Sequence, residues 1–128
     1  MKCHHLAVTA VVVTALPLWA PSAQAHHSYA MFDATKTITV QGTVKDFQWT
    51  NPHVWIDLLV VDPASGATQG WSIEGNSVII LKRLGWERDS LKPGDKVSIT
   101  LHPLKNGSNG GQLVAASVDG KVIGHGFQ

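Results

Sequence analysis

The chain contains a single cysteine, Cys3, and this scarcity excludes several kinds of chemistry. A lone cysteine cannot form an internal disulfide, so the folded domain must do without one. Cys3 also precedes the apolar N-terminal run, which is not where a lipoprotein anchor lies. We therefore expect neither a lipid anchor at this residue nor a thiolate nucleophile or thiolate metal ligand in the folded domain.

The chain also lacks an excess of charge of either sign. Ten Lys and Arg residues stand against nine Asp and Glu residues, which gives a formal net charge of +1. Binding to nucleic acid or to an anionic membrane needs a strongly basic surface. The balance therefore predicts no nucleic-acid partner.

Familiar catalytic motifs are missing as well. The sequence has no Gly-x-Ser-x-Gly, no His-Glu-x-x-His, no phosphate loop and no dinucleotide fingerprint. The candidate catalytic pairs are Ser72 with Glu74 and His53 with Asp57. In an extended strand, however, four residues would separate His53 from Asp57 by roughly 13 Å. We therefore predict a protein that is not an enzyme.

The first 25 residues have the three parts of a secretory signal peptide. Lys2 supplies the positive start, residues 6–19 form an apolar run, and Ala23-Gln24-Ala25 is a small-x-small cleavage site. The run is too short to span a bilayer, which takes about 20 residues, and no second one follows. We expect a periplasmic or secreted bacterial protein without a stable membrane anchor, beginning at His26 after cleavage.

The remaining sequence predicts an irregular lead-in, residues 26–36, and one mainly β domain, residues 37–128. Alternation of apolar and polar residues with a period of two indicates strands bounded by turn residues. The predicted strands cover residues 37–47, 53–61, 68–74, 96–101 and 112–118, with a possible short sixth at 121–123. Gly42, inside the first strand, suggests a bulge or sharp bend.

Between the third and fourth strands the period changes to that of a helix. Val78, Leu81 and Leu84 recur at helical spacing, Asn76 or Ser77 can cap the start, and Gly85 fits the left-handed stop. Three strands, one helix and two strands is the element order of the five-stranded OB barrel. An open sheet packed on one helix is the alternative.

An OB-like barrel predicts where a ligand would bind. Such barrels use the face of strands two and three, flanked by the first loop and the loop between strands four and five. On this assignment the first loop and its flanks carry three candidates, a fourth follows in strand two, and a fifth ends strand four. The predicted ligand-binding residues are Trp49, Asn51, His53, Trp55 and His102. The other mature tryptophans, Trp71 and Trp86, are predicted to pack in the core.

Two alternatives concern the kind of ligand. A mature N-terminal His26 would present an amine and an imidazole together, which suits Cu(II), and His53 or His102 could complete the site. Among the histidines of the mature chain, no pair beyond the adjacent His26 and His27 shows short metal-ligand spacing. The other alternative is an accessory protein whose exposed aromatic face docks another exported protein.

Several segments together resemble a known family. They are His26-His27-Ser28, Gly42-Thr43-Val44, Phe47-Gln48-Trp49-Thr50-Asn51-Pro52-His53, Leu84-Gly85-Trp86, Leu91-Lys92-Pro93-Gly94-Asp95 and His102-Pro103. The set is similar to a family of small exported bacterial proteins of unknown function. The resemblance implies export and one compact β-rich domain, and it implies no activity, ligand or site.

Overall fold

A computed structural model describes residues 29–126, which contain six strands and one short α-helix. The elements are a 3-10 turn (Tyr29–Met31), β1 (Ile38–Gln48), β2 (Trp55–Val61), β3 (Thr68–Glu74), α1 (Val78–Arg83), β4 (Lys96–Pro103), β5 (Gly110–Val118) and β6 (Lys121–His125). The alternating apolar pattern thus forms strands at each predicted place. Strand β2 begins at Trp55, two residues after the predicted start, and β5 begins two residues earlier than predicted.

The sheet closes into a barrel. Its strand order is β3-β2-β1-β4-β5-β6, and an additional parallel pairing joins β3 to β5. Five strands therefore form the closed barrel, while β6 pairs with β5 as an extra strand. The OB-like barrel with its helix between strands three and four is confirmed, and closure excludes the open sheet.

Strand β1 belongs to both halves of the barrel. Its first half, Ile38 to Thr43, pairs with β4, and its second half, Thr43 to Gln48, pairs with β2. The bulge lies between Val44 and Asp46, so it follows Gly42 rather than including it. Gly42 has a different reason to be glycine, because a Cβ there would lie 2.9 Å from the Leu59 carbonyl oxygen.

The core fills the barrel interior with the inward residues of the predicted strands. In β2 and the residue before it, Val54, Ile56 and Leu58 are buried, and Val97, Ile99 and Leu101 alternate in the same way along β4. Apolar burial of this kind is the main favourable term in folding. The buried apolar residues also include Val44, Trp49, Ile73, Leu81, Trp86, Leu91, Leu113 and Ala116.

Helix α1 packs against the core through Leu81, and a residue distant in sequence caps its N-terminus. Ser77 occupies the N-cap position, but its side chain makes no capping hydrogen bond. Instead, the backbone N–H of Val78 donates to Asn51 Oδ1 at 3.2 Å, so the first loop supplies the acceptor. Helix N-termini carry unpaired N–H groups, and this bond satisfies one of them.

The helix ends as the sequence predicts. Gly85 has φ of 94°, and its N–H and that of Trp86 donate back to the Lys82 and Leu81 carbonyl oxygens. This double return is the Schellman ending. It places Trp86 in the core, where its Nε1–H donates to the His125 carbonyl oxygen at 2.9 Å.

The described part of the lead-in lies along the end of β4. Phe32 is buried and forms a bridge with Leu104, and the Asp33 N–H donates to the Pro103 carbonyl oxygen at 2.8 Å. Within residues 29–126 no helix has the length and apolar character needed to cross a membrane.

Candidate functional site

Two of the predicted ligand-binding residues hold the first loop in place. Trp49 is 8% exposed and packs with its ring centroid 5.6 Å from that of Phe47. Asn51 is exposed, but its side-chain oxygen caps α1 through the Val78 N–H. Both side chains thus make internal contacts that fix the loop between β1 and β2.

His53 forms a largely buried pair with an acid that the sequence did not single out for the site. Its Nδ1 lies 3.1 Å from Glu74 Oε1 and 3.1 Å from the Gly75 carbonyl oxygen. Both neighbours are acceptors, so Nδ1 carries the hydrogen and donates. The side chains of His53 and Glu74 are only 13% and 6% exposed.

A second polar pair lies next along the same face. The Ser72 hydroxyl donates to Asp57 Oδ1 at 2.7 Å, and Gln48 Nε2 donates to Asp57 Oδ2 at 3.2 Å. Ser72 therefore bonds to Asp57 rather than to Glu74, and His53 bonds to Glu74 rather than to Asp57. Each of these contacts crosses between segments that pair in the barrel.

These residues share the outer face of β2 and β3 with Trp55. Trp55 is directly opposite Gln48 on one side and Glu74 on the other, so these three residues are cross-strand neighbours on this face. We call this surface the β2–β3 polar face. It comprises Gln48, His53, Trp55, Asp57, Ser72 and Glu74.

The strand register leads from this face to His102. Glu74 is paired with Gln112 of β5, and Gln112 is paired with His102 of β4. Adjacent strands lie about 4.8 Å apart, so the backbones at Glu74 and His102 are separated by about 10 Å. The barrel thus brings His53 and His102 to one region, with Glu74 and the buried Gln112 between them.

His102 is also bonded to the lead-in. Its Nδ1 lies 2.7 Å from the Lys36 carbonyl oxygen, which can only accept, so this nitrogen is the donor. The contact fixes the ring at the end of β4. In both His53 and His102, therefore, the Nδ1–H donates a hydrogen bond within the protein.

No described cluster has the composition of a metal centre. Among residues 29–126, no group of three or more His, Cys, Asp or Glu side chains could hold a metal ion. His26, the first member of the predicted copper site, lies outside the described residues. The copper hypothesis therefore stays a prediction.

Three cavities lie away from the β2–β3 polar face. One of about 570 Å³ lies between β1, β4 and the β5–β6 turn, and includes Gly42 and Lys96 in its lining. One of about 560 Å³ lies beside α1, with Trp49 and Trp86 in its wall. One of about 510 Å³ lies at the end of β2 and includes Trp71. These three cavities therefore do not include the residues of the β2–β3 polar face.

The family model for a family of unknown function, DUF6152, matches residues 15–114. The chain belongs to this family. No curated protein matches the chain, and no solved structure does. Membership in DUF6152 confirms the resemblance to a family of unknown function, and the family brings no activity of its own.

Sequence reasoning considered Glu74 only as a partner of Ser72, so it missed the pairing of Glu74 with His53, and it missed Gln112. Glu74 ends β3 in the outward phase, and an acid in that position is ordinarily solvated. Gln112 begins the regular part of β5 and carries no chemical signal in the sequence. Both become meaningful through cross-strand register, which pairs Glu74 with Gln112 and Gln112 with His102.

Proposed function

We propose that the protein is an exported, non-enzymatic binding module whose ligand contacts the β2–β3 polar face and the adjoining end of β4. The observation that carries the proposal is the burial of Glu74, which is 4% exposed and paired with His53. Burying an ionisable pair is costly, and apolar side chains in its place often stabilise a protein. Apolar residues at this position would commonly serve the stability of a barrel as well as the pair or better, so a binding role gives the pair a reason.

The surrounding residues suit recognition of a small polar ligand. Trp55 offers an indole beside the pair, and aromatic surfaces bind rings or apolar edges. Asp57 is oriented by donors from Ser72 and Gln48, which leaves a fixed acceptor on the face. In this proposal Trp49 and Asn51 act indirectly, because they hold the loop that carries His53.

Export is part of the same proposal. Its support is the signal-like N-terminus, with Lys2, the apolar residues 6–19 and the cleavage pattern at Ala23-Gln24-Ala25. Mass spectrometry of protein recovered from the periplasm would test it. The expected mass is that of a chain beginning at His26, and an uncleaved cytoplasmic chain would contradict it.

The binding proposal is tested by NMR with isotope-labelled protein and a library of sugars, amino acids and nucleosides. We expect binding compounds to shift the backbone amides of Trp55, Asp57 and Glu74. Trp55→Ala should weaken such binding at least tenfold. Val122→Ala is the matched control, since Val122 is 60% exposed on β6. Binding that maps to another surface, or that Trp55→Ala leaves unchanged, would contradict the proposal.

A docking role is a second candidate because α1 carries exposed aliphatic side chains. Ile79 and Ile80 are 61% and 38% exposed on the outer side of the helix. A photo-crosslinking amino acid at position 79 would capture a docked exported protein in the periplasm. We expect one defined product, absent when the same amino acid replaces Val122. Equal products from both positions would argue against docking at α1.

A further inference from the structure

A second candidate site lies where β1 parts from β2. The last paired residues of these strands are Thr43 and Leu59, and the preceding part of β1 is paired with β4 instead. A cavity of about 510 Å³ occupies the resulting cleft. Its lining includes Val40, Val60, Asp62, Pro63, Gln69 and Trp71.

The apolar side of the cleft is continuous with the barrel core. Val40, Val60 and Trp71 pack against the buried cluster but are themselves only partly buried. Trp71 is paired with Leu58, whose side chain is fully buried inside the barrel, so the indole is on the inner side of the sheet. The cleft is therefore a mouth of the barrel, and barrel mouths commonly bind small molecules.

One polar group in this mouth has no partner. Trp71 Nε1 is buried and makes no hydrogen bond within the described residues. An indole N–H can donate and cannot accept, and a buried donor without an acceptor is unfavourable. The Gln69 side chain is engaged, because its Nε2 donates to Asp62 Oδ2 at 3.4 Å and its Oε1 accepts from Asn109 Nδ2 at 3.0 Å. The buried indole N–H of Trp71 thus requires one acceptor.

The charge of the cleft restricts the ligand further. Asp62 accepts hydrogen bonds from the N–H groups of Ala64 and Ser65, which hold the pKa of its carboxyl below the ordinary range and keep it anionic. Among the described residues, no Lys or Arg is in the lining. An anionic ligand would therefore meet a negative charge without a compensating cation.

We propose that this cleft binds a neutral, largely apolar small molecule with one hydrogen-bond acceptor, whose oxygen accepts from Trp71 Nε1. The site is separate from the β2–β3 polar face, since Trp71 points to the inside of the barrel and Trp55 to the outside. Because Nε1 is buried, a lining side chain moves aside when the acceptor enters.

The test uses 2-octanone, a neutral chain with one carbonyl oxygen, and octanoate, its anionic counterpart. The indole N–H signals of labelled protein are followed by NMR, with the Trp71 signal assigned by triple-resonance experiments on the wild-type protein. We expect 2-octanone to shift that signal downfield in a saturable manner, and octanoate to bind at least tenfold more weakly. Trp71→Phe should weaken 2-octanone binding about tenfold, while Val122→Ala, which lies outside the cleft on β6, leaves it unchanged.

A second variant keeps the test decisive where Trp71→Phe fails to fold. Val40→Phe would fill part of the cleft and keep the indole, so 2-octanone binding should fall while the protein stays folded. The proposal is overturned by a Trp71 signal that 2-octanone leaves in place. It is equally overturned by octanoate binding as tightly as 2-octanone, or by an unchanged affinity in Val40→Phe.

Discussion

Replacing Asn51 with alanine should destabilise the domain more than replacing the residue at the helix N-cap. The Val78 N–H donates to Asn51 Oδ1 at 3.2 Å, while the Ser77 side chain makes no capping bond. Loss of an N-terminal capping acceptor typically costs about 1 kcal/mol. The contact is partly exposed, so water can replace some of it and the cost should not exceed this value.

The corresponding change is measurable in a domain of this size. A loss of about 1 kcal/mol lowers the melting temperature of a domain near 100 residues by roughly 4–8 °C. Ser77→Ala removes no hydrogen bond, so its effect should stay within about 0.5 kcal/mol. Urea unfolding of both variants, followed by tryptophan fluorescence, gives the two free energies of unfolding directly.

The comparison can also refute the reasoning. If Ser77→Ala costs as much as Asn51→Ala, the local residue caps the helix and the long-range contact is unimportant. If Asn51→Ala is neutral in stability but abolishes ligand binding, Asn51 contacts the ligand directly. Equal far-ultraviolet circular dichroism of the two variants at low temperature is the control for an intact fold.

Other predictions address packing, pH and copper. Gly124→Ala would place a methyl group against the buried Trp86 indole, so we expect the free energy of unfolding to fall by about 1–3 kcal/mol. Gly70→Ala is the control and should be near neutral, because no atom lies within 4 Å of the new Cβ. Equal urea midpoints for the two variants would contradict the packing at Gly124. The pKa of Asp62 is lowered from its ordinary 3.8 by backbone N–H groups, so its stabilisation is present above that pH and lost as the pH falls through the lowered pKa. The stability difference between wild type and Asp62→Ala should therefore shrink from pH 7 to pH 3, and a constant difference would argue against it. Protein beginning at His26 should bind Cu(II) tightly by titration calorimetry, and one preceding residue should abolish this; equal affinity would exclude a terminal copper site.

The fold was largely predictable because strand periodicity and element order are local signals. Val97, Ile99 and Leu101 alternate inward in the sequence and are buried in the structure. The bulge after Val44 was not predictable at its position, since it follows from how β1 changes partners. Asn51 as the distant cap of α1 was likewise hidden, because capping rules describe neighbours along the chain.

The site was predictable only as a region. The OB-like order placed His53 and His102 near one another in advance, and the register supports this through Glu74 and Gln112. The partner of His53 was not predictable, because nothing in the sequence relates that loop residue to the last residue of β3. The burial of Trp49 was also not predictable, because nothing near it in the sequence indicates that a loop tryptophan packs into the core.

The double pairing of β1 has a consequence for how the chain folds. Ile38 pairs with Leu101, and the β3–β5 closure joins Ser72 to Gly110, so the contacts that complete the barrel lie far apart in sequence. Folding rates fall as such separations grow. The barrel cannot close before β5 has been synthesised, so the growing chain stays open until late. If the proposed export takes place, this delay would keep the chain unfolded while it crosses the membrane.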